Sequence, residues 1–222
     1  MLTLIVSDLH LYQPVDNAKL KFLKKIISEA DRVILNGDFF DAYMTDFDSF
    51  IKSSWNELFP ILKSKRAVYL YGNHDKQDYS DKNSSLFSTV QTHRYKLKSG
   101  NRIFIFEHGH KIRVTPDTVL KLEGKMLSFV IAIAHLFRNF MTRLLGKTFL
   151  RARFAYRNKI AKKKINEVYR PKHNEVYVIG HNHWGEIDLE NHFAASGAIL
   201  YGYYQYLTIE DSTIKLHEGW YR

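Results

Sequence analysis

The sequence predicts an α/β fold whose polar side chains meet at one edge of a sheet. Runs of β-branched and aromatic residues alternate with segments of helical periodicity, which is the pattern of an α/β protein. Five of these runs are followed directly by a short cluster of Asp, Asn or His residues. Because the ends of adjacent strands lie side by side, the clusters indicate one shared site rather than five separate turns.

The first half of the chain is predicted to alternate strands and helices. The predicted elements are a strand at 2–7, a helix at 15–30, a strand at 32–36, a helix at 46–63 and a strand at 66–71. In the first helix the apolar residues recur every three or four positions, as expected for a helix with one buried face.

The second half combines a hairpin, a long helical segment and a β-rich tail. Strands near 93–98 and 102–107 flank a Ser-Gly-Asn turn, which favours a hairpin. Residues 117–168 have helical character, with a break expected near Gly146. A strand at 175–179 follows, and we expect the strands of the tail after it to close a second sheet.

Length and composition predict a single globular domain, 1–222, with its own hydrophobic core. The chain has no cysteine, so any metal must be held by nitrogen and oxygen ligands. The N-terminus has the pattern of a strand and not of a signal peptide, and no run approaches about 20 uninterrupted apolar residues. We therefore expect a cytoplasmic protein.

The formal charge of +10 is concentrated in one segment. Residues 111–172 contain 16 of the 33 Lys and Arg residues and only three acidic residues, a net charge of +13, whereas the remainder of the chain carries −3. Such a sharp change of composition predicts a basic helical insertion, 113–170, within an otherwise neutral domain.

The five strand-end clusters contain residue types that bind metal ions. They are Asp8 with His10, Asp38, Asn73 with His74 and Asp75, His108, and His181 with His183. In an extended chain, residues two apart project to the same side, so each of the two Asp/His or His/His pairs can serve one cation. A lone histidine or Gly-Asp turn is more often structural, but five such clusters together favour a metal site.

The five clusters together resemble the motifs of a known family. The motifs DLH, GDFFD, GNHD, HGH and GHNH, in this order from Asp8 to His183, resemble those of the calcineurin-like metallophosphoesterases. The resemblance implies a four-layer αββα sandwich in which two sheets pack face to face, with the helical insertion as a lid. It also implies two divalent metal ions at the strand ends, for which we expect manganese, with iron, zinc or magnesium as alternatives.

The resemblance also implies a role for each candidate residue. Asp8, His10, Asp38 and His183 would hold one metal ion, and Asp38, Asn73, His108 and His181 would hold the second. His74 would protonate the leaving group and Asp75 would orient it, while Asp41 would support the metal site through hydrogen bonds. Two adjacent cations neutralise the charge of a phosphoester and generate a nucleophile near neutral pH.

The basic insertion is the best indication of the substrate. Its first part is widely apolar (MLSFVIAIAHLF, 126–137) with interspersed Lys and Arg, which is typical of a membrane-surface helix. It would then bind a lipid with an anionic head and hold the protein peripherally on the inner face of the membrane. The plainer interpretation is a helical hairpin packed on the body with solvated charges.

The position of the insertion resembles one branch of the family, the UDP-2,3-diacylglucosamine pyrophosphatases of lipid A synthesis. In that branch an insertion between the fourth and fifth motifs caps the acyl-chain site. Here Arg151, Arg153 and Arg157 would pair with the pyrophosphate through bidentate contacts. The chain departs from the best-known members, which carry Arg at the position of His74 and Asp at that of His110.

Two other functions remain open from the sequence. A segment of net charge +13 would attract any polyanion, so a phosphodiesterase acting on nucleotides or nucleic acid is the alternative, although residues 126–137 are very apolar for a nucleic-acid groove. A non-catalytic binding module is disfavoured because the ligand set is complete. No obligate protein partner is indicated, and His135 and the other histidines outside the clusters are expected to be structural or exposed.

Overall fold

The computed structural model describes residues 1–80, 82–112 and 125–221. Twelve strands are found among these residues. They are β1 (Thr3–Val6), β2 (Arg32–Asn36), β3 (Val68–Leu70), β4 (Val90–Thr92), β5 (Tyr95–Ser99), β6 (Arg102–Glu107), β7 (Glu175–Ile179), β8 (Glu186–Asp188), β9 (Phe193–Ala195), β10 (Ile199–Leu200), β11 (Tyr203–Glu210) and β12 (Thr213–Trp220).

Six α-helices connect these strands in the described part of the chain. They are α1 (Asn17–Glu29), α2 (Phe47–Lys52), α3 (Phe59–Ser64), α4 (Gln77–Ser80), α5 (Lys125–Phe154) and α6 (Tyr156–Lys164). Short 3-10 turns cover Ser54–Leu58 and Lys82–Leu86, and a π-helical turn covers Ile165–Tyr169. The side chain of Asp16 caps α1 by accepting a hydrogen bond from the backbone N–H of Lys19 at 3.0 Å.

The strands form two sheets. The first has the order β10-β11-β1-β2-β3-β4, with β12 also paired to β11, and the second has the order β5-β6-β7-β9-β8. Strands β1 to β4 are mutually parallel, as are β6, β7 and β9. The carboxyl ends of these parallel strands therefore lie at common edges, where the candidate site is expected.

The hydrophobic core is divided into layers that establish the four-layer arrangement. Ile5 and Ile34 of the first sheet pack with Phe104 and Val178 of the second, so the two sheets lie face to face. The outer face of the first sheet is covered by α1 and α3, and that of the second by α6 and the turn that follows it. The predicted αββα sandwich is thus confirmed.

The inserted helix α5 packs on the sandwich through its C-terminal part. Leu150 and Phe154 are buried against Tyr203, and the helix is kinked at Gly146 (φ 62°, ψ −149°), where the sequence predicted a break. Residues 113–124, the first part of the predicted insertion, lie outside the described residues. By length and composition alone, the segment Phe129–Tyr169 is apolar enough to cross a membrane, and its most apolar window is 11% buried.

Several local predictions were wrong. The single helix predicted at 46–63 is three short elements, because Ser53 caps the 3-10 turn and Pro60 lies in the first turn of α3. The tail was predicted to close a second sheet, but only its first strand, β9, belongs to that sheet. Strands β10 to β12 extend the first sheet instead, since β11 pairs antiparallel with β1. The strand β4 was not predicted.

Candidate metal centre

The candidate residues converge at the carboxyl ends of strands from both sheets. Each follows its strand by one to five residues: Asp8 and His10 after β1, Asp38 and Asp41 after β2, Asn73, His74 and Asp75 after β3, His108 after β6, and His181 and His183 after β7. Most of them are buried, while His74 and His183 are partly exposed. Both sheets are therefore needed to build the site.

Five of these residues have left-handed backbone conformations. The φ angles are 52° at Asp8, 43° at His10, 53° at Asp38, 61° at His181 and 60° at His183. The extended geometry that we predicted for the two i, i+2 pairs is therefore wrong. A left-handed conformation costs about 1–2 kcal/mol at a non-glycine residue, and such strain concentrates at functional sites.

Two glycines before the ligands permit close packing in the site. A Cβ atom on Gly37, whose φ is 85°, would lie 2.3 Å from Nδ1 of His108. A Cβ atom on Gly72 would lie 2.1 Å from Oδ1 of Asp38. Glycine is thus required in the GD and GNHD motifs for two reasons. Side chains from neighbouring strand ends leave no room for a Cβ atom, and the turns favour glycine.

The ligand atoms form three groups, in each of which they lie within 4.8 Å of one another. The groups are Asp8 with His10 and His183, Asp38 with His108 and His181, and His10 with Asp41 and His74. Oδ2 of Asp38 lies 3.2 Å from Nε2 of His108 and 3.7 Å from Nε2 of His10. Asp38 therefore lies between the first two groups, as a bridging carboxylate must.

Two imidazoles are held in defined orientations. Nδ1 of His108 donates a hydrogen bond to the carbonyl of Asn36 at 2.9 Å, which turns Nε2 toward the side-chain oxygen of Asn73 at 3.2 Å. Nε2 of His183 lies 3.2 Å from Oδ1 of Asp8. Metal-binding histidines are usually oriented in this way. One ring nitrogen donates a hydrogen bond, and the other faces the metal ion.

The donor set fits divalent metal ions. Nε2 of His10 and Nδ1 of His183 are buried and have no hydrogen-bond partner among the described residues. A buried imidazole nitrogen without a partner is costly, and for His10 a cation beside Asp38 would satisfy it. Nitrogen and oxygen ligands of this kind suit manganese, iron, zinc or magnesium.

The electrostatics of the site also favour a cation. Burial alone would lower the pKa of His108, but the carboxylates of Asp38 and Asp8 raise it to about 10. Burial alone would raise the pKa of Asp8, yet the neighbouring His183 and His108 lower it to about 2. The buried carboxylates thus favour positive charge at this position, and a bound cation would supply it.

Comparison with known proteins identifies the family. The family model of the calcineurin-like phosphoesterases matches residues 1–202. The chain belongs to this family. Members of this family use divalent metal ions.

One curated relative is similar to part of this chain. The UDP-2,3-diacylglucosamine hydrolase of Azotobacter vinelandii (strain DJ / ATCC BAA-1303) is 35% identical over 83 residues. The match spans 34% of this chain and 34% of the relative, about a third of the length of each.

Solved structures with similar folds cover almost the whole chain. An archaeal phosphodiesterase is 14% identical with a TM-score of 0.50, and the alignment covers 99% of both chains. A conserved uncharacterized protein from Streptococcus pneumoniae TIGR4, described as a predicted phosphoesterase, is 16% identical with a TM-score of 0.47, over 99% of this chain and 89% of that one. At these identities the archaeal protein supports the fold alone.

Asp41 contacts two histidines of this phosphoesterase. Its Oδ2 lies 3.1 Å from Nδ1 of His10, and its Oδ1 lies 3.0 Å from Nδ1 of His74. Burial would raise the pKa of Asp41, but these imidazoles lower it far below its ordinary value. Asp41 is thus an ionised carboxylate that orients both rings.

Asp75 makes a different set of contacts from the one predicted. Its carboxylate accepts hydrogen bonds from the backbone N–H groups of Asp38 at 3.0 Å, Phe39 at 2.7 Å and Gly72 at 2.7 Å. We predicted that Asp75 orients His74, but Asp41 makes that contact. Asp75 instead joins the loops after β2 and β3, which fixes the backbone of Asp38.

His135 of the inserted helix is a site residue that sequence reasoning missed. It is buried, its ring centroid lies 6.0 Å from that of His10, and its Nε2 lies 3.9 Å from Oδ2 of Asp41. The available signal was a single histidine within the most apolar stretch of the chain, VIAIAHLF. The insertion of this phosphoesterase therefore reaches the edge of the metal centre.

The three arginines predicted to bind substrate differ in their positions. The guanidinium of Arg157 lies over the ring of Phe154 at 4.6 Å, and Phe154 lies 5.2 Å from His183 between ring centroids. Arg151 and Arg153 are exposed and make no hydrogen bond or ion pair with the described residues. Of the three arginines, Arg157 is thus the one that ring contacts through Phe154 connect to the metal centre.

Proposed function

We propose that this phosphoesterase hydrolyses the pyrophosphate of a UDP-2,3-diacylglucosamine-like lipid-linked nucleotide with the help of two divalent metal ions. The inserted helix is the observation that supports a lipid-linked substrate. It contacts the metal centre through His135 and exposes apolar side chains elsewhere. The partial match to the Azotobacter vinelandii hydrolase supports the same substrate class.

Two of the three groups, Asp8 with His10 and His183 and Asp38 with His108 and His181, support the proposed metal ligands. Asp8, His10, Asp38 and His183 would hold one ion, and Asp38, Asn73, His108 and His181 the other. When bound, divalent ions neutralise the charge of the phosphate and activate water at neutral pH. We expect manganese in both positions, with iron, zinc and magnesium as the alternatives.

His74 is suited to protonate the leaving group. Nδ1 lies 3.0 Å from Oδ1 of Asp41, a contact that fixes the ring. The side chain is 14% exposed, so it is accessible from the site opening, whereas His10 behind it is buried. An imidazole in this role contributes about 10²–10⁴-fold to the rate.

The exposed face of α5 fits the acyl chains of a lipid or the surface of a membrane. Phe129, Leu136, Phe140 and Leu144 are between 63% and 70% exposed and recur at helical spacing. Contiguous apolar surface of this kind on a folded domain marks a contact with another apolar phase. The basic residues around it would favour an anionic bilayer, so we propose peripheral binding to the cytoplasmic face of the membrane.

An assay of the metal-loaded protein against three substrates tests the proposed substrate. These are UDP-2,3-diacylglucosamine, bis(p-nitrophenyl) phosphate and a single-stranded oligonucleotide. We expect the lipid substrate to be cleaved with the highest kcat/KM and Asp38→Asn to abolish all cleavage. Cleavage of the aryl ester or the oligonucleotide without the lipid would replace the proposal by a general phosphodiesterase.

Flotation with lipid vesicles tests the membrane contact. We expect the protein to float with vesicles of phosphatidylglycerol and not with those of phosphatidylcholine, and to lose flotation when Leu136 and Phe140 are both replaced by Ser. Val168→Ser is the matched control, because Val168 is an equally exposed apolar residue outside α5. Unchanged flotation of the double variant would contradict the proposed surface.

A further inference from the structure

The ligand loop, residues 180–184, follows β7 and carries two of the proposed metal ligands, His181 and His183. Both histidines have left-handed backbone conformations, with φ angles of 61° and 60°, on either side of Asn182. Non-glycine residues rarely adopt this conformation, and it persists only where the surrounding structure holds it. Contacts between the ligand loop and the rest of the chain therefore determine the positions of the two imidazoles.

The insertion contacts the ligand loop through Asn158 of α6. Asn158 is fully buried, and its side-chain oxygen accepts a hydrogen bond from the side-chain amide of Asn182 at 2.9 Å. The side-chain nitrogen of Asn158 donates a hydrogen bond to the carbonyl of Trp184 at 3.0 Å. One side chain thus holds both the residue before His183 and the residue after it.

Asn158 is held in place by contacts between α6 and β8. Its side-chain nitrogen also donates a hydrogen bond to Oε2 of Glu186 at 2.9 Å. The other carboxylate oxygen of Glu186 accepts a hydrogen bond from the ammonium group of Lys162 at 2.7 Å, and the same ammonium group donates to Asp188 at 2.8 Å. Because Lys162 lies about one helical turn after Asn158, these charge-assisted bonds fix the part of α6 that contacts the ligand loop.

The two histidines of the ligand loop differ in what holds them. The backbone N–H of His181 donates a hydrogen bond to the carboxylate of Asp8, with its nitrogen 2.9 Å from Oδ2. His183 lies in the part of the loop that Asn158 holds, and its ring centroid lies 5.2 Å from that of Phe154, another residue of the insertion. The insertion therefore affects the position of His183 more than that of His181.

Resting on the proposed function and its metal ligands, we propose that Asn158 is a positioning residue that holds His183 in place as a ligand. It acts through Asn182 and Trp184, the neighbours of His183 in the ligand loop. Loss of Asn158 should therefore weaken the metal position that His183 shares with Asp8 much more than the other position. The insertion then completes the metal centre in addition to its proposed contact with lipid.

Binding of Mn²⁺ to the metal-stripped protein tests this role without turnover. Equilibrium dialysis followed by plasma emission spectroscopy would measure the Kd of each metal position. We expect the wild type to bind two ions and Asn158→Ala to raise the Kd of one position by about 10–100-fold, the usual effect of removing a residue that orients a metal ligand. Asn182→Ala removes the same contact from the loop and should have the same selective effect, even where Asn158→Ala does not fold. In a His183→Ala background, Asn158→Ala should cause no further loss, because it acts through that ligand.

Asn166→Ala is the matched control, because the side-chain amide of Asn166 attaches the insertion to the carbonyl of Asn191, between β8 and β9 and outside the ligand loop. It should leave both Kd values unchanged even where it lowers Tm. Unchanged Kd values in Asn158→Ala and Asn182→Ala, an equal change at both positions, or the same change in Asn166→Ala would overturn the positioning role. A wild type that binds fewer than two ions would instead contradict the proposed metal centre, and one that binds two ions but cleaves none of the three substrates would contradict the proposed hydrolysis.

Discussion

The hydroxyl of Tyr201 lies 3.0 Å from Nδ1 of His135 and thereby joins the loop after β10 to the inserted helix. Both side chains are largely removed from solvent, and burial raises the pKa of Tyr201 to about 12. Because His135 also packs edge-on toward His10, this contact fixes the insertion relative to the metal centre. The insertion is thus attached to the site by a polar contact as well as by the apolar contacts of Leu150 and Phe154.

We expect Tyr201→Phe to destabilise the protein by at least about 1 kcal/mol, the net value of one buried hydrogen bond, because the hydroxyl contacts His135 and also Arg138. Thermal unfolding should show a fall in Tm of about 2–4 °C for a chain of this length. Tyr206→Phe is the control, because the ring of Tyr206 packs on His217 and no described residue is hydrogen-bonded to its hydroxyl. An equal fall in Tm for both variants would contradict the role given to the Tyr201–His135 contact.

The convergence of the candidate residues follows from local features of the sequence. Each ligand cluster directly follows a strand-like run, and the parallel arrangement of strand ends brings the clusters together. The backbone conformation was not predictable in the same way. Asp8 and His10 adopt left-handed conformations under the constraint of surrounding strands, which a pattern of alternating side chains does not reveal.

Contacts between distant segments account for most of what the sequence missed. His135 meets His10 across 125 positions of the chain, and its apolar neighbours indicated burial but not a partner. Asp75 follows His74 directly, yet it turns to the backbone of Asp38 and leaves Asp41 to contact the imidazole. The periodicity of β11 showed a strand but not that its partner is β1 at the opposite end of the chain.

Variants of the adjacent residues Asn73 and His74 should separate metal binding from proton transfer. We expect His74→Ala to lower kcat by about 10²–10⁴-fold while the metal content stays the same, because its Nδ1 contacts Asp41. Asn73→Ala should lose metal, since the amide oxygen of Asn73 lies among the ligand atoms, 3.2 Å from His108. Metal content measured by plasma emission spectroscopy would decide between these roles.

His74 also lies within 4.8 Å of His10 and Asp41 as part of one group of possible ligand atoms. Loss of metal from His74→Ala would therefore make His74 a ligand and remove its assignment as the proton donor. Tyr43→Phe is a useful control, because it changes a ring that packs edge-on against His74 and leaves the imidazole of His74 in place. It should change kcat much less than His74→Ala.

Removal of metal should lower both activity and stability. Ligands that bind only the folded state stabilise it by about 2.7 kcal/mol at a concentration a hundredfold above Kd. We expect chelation to abolish hydrolysis and lower Tm, and added Mn²⁺ to restore both. Asp38→Asn should show a much smaller rise in Tm with Mn²⁺, because Asp38 lies between the two ligand groups. A metal-independent Tm in the wild type would contradict the proposed centre.

Lys19 should make stability depend on pH in the alkaline range. Burial lowers the pKa of Lys19 from 10.5 to about 7 in the folded protein, although Asp16 partly opposes the shift. Between these values the unfolded chain binds more protons than the folded one, so the free energy of unfolding rises as pH increases from about 7 to 10.5. Below pH 7 the folded state retains the full cost of the buried ammonium group.

Lys19→Met removes this titration and isolates its effect. Relative to this variant, the wild type should gain at most about 5 kcal/mol of stability across the same pH range. Urea unfolding of both proteins at intervals between pH 6 and 10.5 would measure the difference, since all other titrating groups are shared. Parallel pH profiles of the two proteins would show that Lys19 titrates normally and that its ammonium group is solvated.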